Sequence, residues 1–156
     1  MKRLSLRAVC ALVLAATLGA PAFAQVTVKD PWVRATVPEQ KATGAFMQLS
    51  APAGARLVEV RSSIAGVVEI HEMSMDGTMM KMRAVPGIDL PAGKPVDLKP
   101  GGYHVMLMDL KQPLKDGQTV ALTLILEGQD KKRESVEVKA PVRALGGQMP
   151  MGNPKP

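Results

Sequence analysis

From Gln25 onward, apolar residues alternate with polar ones in short runs that Gly and Pro interrupt about every eight to twelve residues. That is the pattern of an all-β sandwich or barrel. The runs fall at residues 26–28, 32–36, 44–49, 56–61, 67–75, 103–110, 119–126 and 135–138. Residues 88–90 and 96–98 read as short edge strands inside a Pro/Gly-rich crossing, and the pattern as a whole reads as about eight or nine strands. The run at 119–126 is the most hydrophobic and reads as central. Nowhere after residue 24 do apolar residues recur at the 3.6-residue period that a helix needs.

One turn is legible in detail. Asp76-Gly77 follows the alternating run 67–75, and Asp-Gly favours a two-residue type I′ hairpin. A loop of those two residues sets Met75 against Thr78, Met73 against Met80 and His71 against Met82. Directly opposed side chains on one face have Cβ atoms about 4.5–5.5 Å apart. A one-residue slip would send them to opposite faces.

The two ends of the chain differ from the middle. Lys2, Arg3 and Arg7 precede an apolar run from residue 8 to residue 20, and Ala22-Phe23-Ala24 is a small-x-small cleavage site, so residues 1–24 read as a secretory signal. That run is shorter than the roughly 20 residues a spanning helix needs, so no membrane span is expected. Cys10 reads as a filler of the signal's apolar region. The mature chain, residues 25–156, then has no cysteine, and losing the three basic residues takes the formal charge from +6 to +3. Scattered basic residues with acids between them give no nucleic-acid signature. Residues 25–140 read as one domain. Residues 141–156 hold Pro and Gly with little to bury and read as a flexible tail.

Lack of cysteine excludes thiol redox chemistry, a thiolate nucleophile, Cys-ligated zinc and a blue-copper centre. What the chain has instead is methionine. Both histidines and seven of the eleven methionines fall between His71 and Met108, in a protein with one Trp, one Tyr and two Phe. Period-two alternation puts His104, Met106 and Met108 on one strand face. His71 and Met82 are joined by the hairpin. Met73, Met80 and Met108 line the same faces and read as packing. Two neutral imidazoles with two thioethers offer soft donors and no negative charge, which suits Cu(I) and disfavours Zn(II), Ca(II) and Mg(II).

His71, ten residues, Met82, twenty-one residues, His104, one residue, Met106 is similar to the H-x10-M-x21-H-x-M signature of the PCuAC periplasmic copper chaperones. Residues 32–36, 43–47 and 102–108 resemble that family as well. The resemblance implies a cupredoxin-like Greek-key β-sandwich or barrel, in which the sandwich brings the two His–Met pairs together. It further implies one Cu(I) per chain on His71, Met82, His104 and Met106, and a periplasmic monomer that is a carrier and not an enzyme. The implied acceptor is the CuA centre of cytochrome c oxidase, with a Sco-type thiol protein as a further partner. Some relatives bind Cu(II) on a His- and Met-rich tail; here the tail has Met149 and Met151 but no His. Three other readings stand beside this one: a copper-sequestering resistance protein, a copper redox enzyme, and a metal-free interaction module.

Overall fold

The computed structural model describes residues 25–144. The expected signal at 1–24 and the methionines of the tail lie outside the described residues. Ten strands are present: β1 (Thr27–Arg34), β2 (Ala42–Ser50), β3 (Ala55–Arg61), β4 (Ala65–Asp76), β5 (Met79–Ala84), β6 (Ile88–Leu90), β7 (Val96–Leu98), β8 (Tyr103–Leu110), β9 (Thr119–Gly128) and β10 (Arg133–Arg143). No helix occurs among the described residues. The expected eight or nine becomes ten because both short crossing segments pair and the return arm of the hairpin, β5, is a strand of its own, while the runs at 26–28 and 32–36 fuse into β1. β6 is an edge strand against β3, while β7 pairs with β2 over Met47–Leu49, next to the end of β8.

One layer runs β5-β4-β8-β2-β1 and the other β10-β9-β3-β6. A short parallel contact, Val33 to Val142 and Arg34 to Arg143, joins β1 to β10 and so links the layers. Alternation supplies the reason for the sandwich. Val105 and Leu107 of β8, Leu122, Leu124 and Leu126 of β9, and Leu57 of β3 are at most 1% exposed and belong to one core cluster. β9 lies between β10 and β3, interior as its composition requires.

Two local readings change. The runs at 26–28 and 32–36 form one strand, because Asp30 takes a positive φ of 48° and absorbs a bulge between Lys29 and Trp32 without ending the pairing with β2. At the other end, β10 continues through Pro141, Val142 and Arg143, with Val142 buried, so strand structure extends past residue 140. Pro141 is tolerated there, near the end of its pairing with β9.

Candidate metal centre

The face of β8 turned away from the core carries His104, Met106 and Met108, as period two dictates. β8 is flanked by β4 on one side and β2 on the other, which places His71 directly opposite His104 and Gly44 directly opposite Met106. The two imidazole centroids are 5.8 Å apart, edge to face. The histidines therefore meet through strand pairing within one layer, and not through packing of one layer on the other.

The hairpin register departs from the expected one. Asp76 pairs with Met79, Met75 with Met80, Met73 with Met82 and His71 with Ala84. The loop is Gly77-Thr78. Gly77 alone of this group has a positive φ, 63°, which fits a type II′ loop with Gly first, whereas type I′ on Asp76-Gly77 needs both residues there. The shift is two residues, so face parity survives. Met82 stays on the face of His71 but stands diagonal to it, and Met73 takes the place opposite Met82.

Above this face lies a cavity of about 310 Å³, walled by Met73, Met82, His104 and Met106 together with Arg34, Gly44 and Phe46. Three of the four expected ligands thus share one cavity. His71 is not on its wall but stands beside His104 on the neighbouring strand, with its side chain 12% exposed.

Hydrogen bonding fixes both tautomers. His104 is 5% exposed, and its Nδ1 lies 3.0 Å from the carbonyl oxygen of Gly102. A carbonyl only accepts, so Nδ1 carries the proton, and in the neutral ring Nε2 keeps the lone pair. His71 Nε2 lies 2.8 Å from Glu69 Oε2. The carboxylate accepts from Nε2–H, which in the neutral ring leaves the lone pair on Nδ1, a buried atom with no hydrogen-bond partner. Holding a ligand imidazole through its other nitrogen is the usual support of a metal site. Among the described residues no three His, Cys, Asp or Glu side chains cluster as a metal site; the soft donors on the cavity wall beside His104 are the thioethers of Met73, Met82 and Met106.

An aromatic row walls the site across four strands. Trp32 stacks on Phe46 at 4.6 Å, and Phe46 faces His104 at 6.3 Å. Arg34 lies over the Phe46 ring at 5.4 Å with its Nε buried and unpartnered, and Arg143 lies over Trp32 at 6.0 Å. Gly44 makes room for this arrangement, since a Cβ there would lie 2.7 Å from Phe46 Cζ. On the opposite face of β4, Arg83 hydrogen-bonds the Glu72 carboxylate and, with help from Tyr103 and against partial desolvation, holds it below its usual range. Burial, and then the charge of Glu72, push the Tyr103 hydroxyl up.

Glu69 was legible in principle, since it lies two residues before His71 and so on its face. Arg34, Phe46 and the Gly102 carbonyl come from other strands or from the backbone, and no local spacing signals them.

A family model, LpqE-like, matches residues 26–142, all of the sandwich just described but the last residue of β10. This chain belongs to that PCuAC-type family. It is 33% identical to Lxx21020 of Leifsonia xyli subsp. xyli over 115 residues, 73% of this chain and 69% of that one. It is 32% identical to RP573 of Rickettsia prowazekii over 124 residues, 76% of this chain and 68% of that one. Among solved structures, the copper-bound PCuAC domain from PmoF2 superposes with a TM-score of 0.61 at 27% identity, covering 77% of this chain and 93% of the domain. The Cu(I) form of DR1885 from Deinococcus radiodurans superposes with a TM-score of 0.59 at 35% identity, covering 80% of this chain and 83% of that one. The fold is therefore the cupredoxin-like all-β sandwich that the PCuAC resemblance implies. Among the described residues, no helix is long and apolar enough to cross a membrane.

Proposed function

We propose that this protein is an exported Cu(I) carrier that holds one ion with His71, Met82, His104 and Met106 and passes it on by ligand exchange. The observation that carries this reading is the pair of opposed histidines, each with one nitrogen on an internal acceptor and the other left to offer a lone pair, with His104 on the wall of the same cavity as Met73, Met82 and Met106. Two structural neighbours, the PmoF2 domain and DR1885, are copper-bound and Cu(I)-bound proteins. Arg34 on the cavity wall adds a positive charge to a neutral donor set. That environment favours a monovalent soft ion over a divalent hard one.

The acceptor in this reading is the CuA centre of cytochrome c oxidase, with a Sco-type thiol protein as a further partner, in the periplasm. Thioethers suit the task because they bind Cu(I) without forming disulfides in an oxidising compartment. The signal at 1–24 and the family's lipoprotein description support export. The test is a Cu(I) competition titration under reductant with His71→Ala, Met82→Leu, His104→Ala and Met106→Leu. Each variant weakens binding in this reading; four variants that bind like the parent would overturn it. Deletion at low copper then separates delivery, which lowers oxidase copper, from sequestration, which leaves the oxidase loaded and makes cells copper-sensitive.

A further inference from the structure

The two faces of the β4–β5 hairpin are built from different chemistry. On one face the cross-strand pairs are Glu72–Arg83, Ser74–Lys81 and Asp76–Met79, and Lys81 is ion-paired with Asp76. That is how an exposed sheet edge is normally kept soluble and unpaired. On the other face the pairs are Met73–Met82 and Met75–Met80, four thioethers in a two-by-two array that continues the row of His71. Met75, Met80 and Met82 are 63%, 55% and 52% exposed, and every residue of β5 is exposed. Side chains left this open bury little apolar area, so packing does not account for them. In an oxidising compartment they are also open to sulfoxide formation.

We propose that Met75 and Met80, with Met73 and Met82 behind them, form a second, thioether-only Cu(I) site at the hairpin tip that loads the His–Met site. The proposal rests on the carrier reading above. Directly opposed side chains have Cβ atoms about 4.5–5.5 Å apart, and long flexible Met side chains close that gap around one soft ion. Met82 belongs to both sets, so the array is continuous with the cavity. Transfer along it needs no redox partner. One Cu–S bond forms as another breaks, the ion stays Cu(I), and the imidazoles at the far end make the inner site the tighter one. Nothing crowds the tip, where a Cβ on Gly77 would meet no atom within 4 Å.

The test uses mature protein labelled with ¹³C at the methionine methyls and titrated with silver(I) nitrate, a redox-inert soft cation, in chloride-free buffer. With the first equivalent the Met82 and Met106 methyls shift; with the second, Met75 and Met80 shift while Met79, on the charged face, does not. Met75→Leu/Met80→Leu, close to volume-conserving, keeps the first equivalent and loses the second. The loading site falls if Met75 and Met80 stay unshifted through the second equivalent, if Met79 moves with them, or if the double variant still takes up two ions. Failure of Met82 and Met106 to respond to the first equivalent instead overturns the carrier reading on which the loading site depends.

Discussion

Replacing Gly44 by alanine tests whether the aromatic wall sets the shape of the cavity proposed to hold the metal. Gly44 has no positive φ, so alanine meets no backbone strain there. By backbone entropy alone the change would stabilise the fold by roughly 0.4–1 kcal/mol. Against that, the new Cβ lies 2.7 Å from Phe46 Cζ and 3.2 Å from Cε2. Carbon atoms pack at about 3.5–4.0 Å, so the ring must retreat by about 1 Å. Phe46 is 4% exposed, with Trp32 on one side and His104 on the other, and the free volume on offer is the cavity itself. Overpacking of this kind costs about 1–3 kcal/mol, which leaves a net loss of roughly 0.5–2 kcal/mol after the entropic gain. Urea unfolding of the copper-free protein should show that loss. Cu(I) competition should show weaker binding as the ring is driven toward His104 and Met106. Adding Phe46→Leu to Gly44→Ala should recover much of both. Unchanged unfolding and unchanged copper binding in Gly44→Ala would refute the claim that Gly44 exists to seat this ring.

Removing the acceptor that holds His71 should act on the metal without touching it. Glu69→Ala frees His71 Nε2 and should weaken Cu(I) binding by about 10–100-fold, with Glu69→Gln intermediate because its amide oxygen still accepts; equal affinity in all three proteins would show that the tautomer is set otherwise. Acid stability should depend on Glu72. Its carboxyl is held below its unfolded value of 4.5, so its contribution is complete above that value and is lost as pH falls through the lower folded one. Urea midpoints of Glu72→Gln should therefore fall less steeply on acidification than those of the parent, and an identical acid limb would count against the Arg83 contact. Tyr103 works in the opposite direction. Its raised value means its contribution is complete below 10.0 and is lost as pH rises through the higher folded value, so Tyr103→Phe should flatten the alkaline limb of the same measurement.

What the sequence discloses about this site divides along local and non-local lines. His104 and Met106 share a face because strand alternation is a property of the backbone, and no tertiary context alters it. His71 and Met82 share a face for the same reason, and a two-residue error in the hairpin register left that parity intact. The error arose because Asp-Gly and Gly-Thr are both workable loop pairs and the choice between them rests on φ at Asp76. The pairing of β4 with β8 lies beyond local pattern: it joins His71 to His104 across 33 residues and a Pro/Gly-rich crossing. The PCuAC resemblance implies that the sandwich brings the two His–Met pairs together, and within that sandwich it is strand pairing in one layer that sets His71 against His104. Met73, which the sequence presents as packing, lies on the cavity wall, directly across from Met82.

The expected ligands sit on three adjacent strands of unequal security. β8 has β4 and β2 on its flanks, β4 has β8 and β5, and β5 has β4 alone. Edge strands open by local fraying at far lower free energy than strands held on both sides. A bound ion would therefore be gripped by a hierarchy, with His104 and Met106 the last to let go and Met82 the first. Release then begins with separation of β5 from β4, the protection of β5 amides from hydrogen exchange becomes a gauge of how readily the ion leaves, and an acceptor need compete at the outset for only one sulfur.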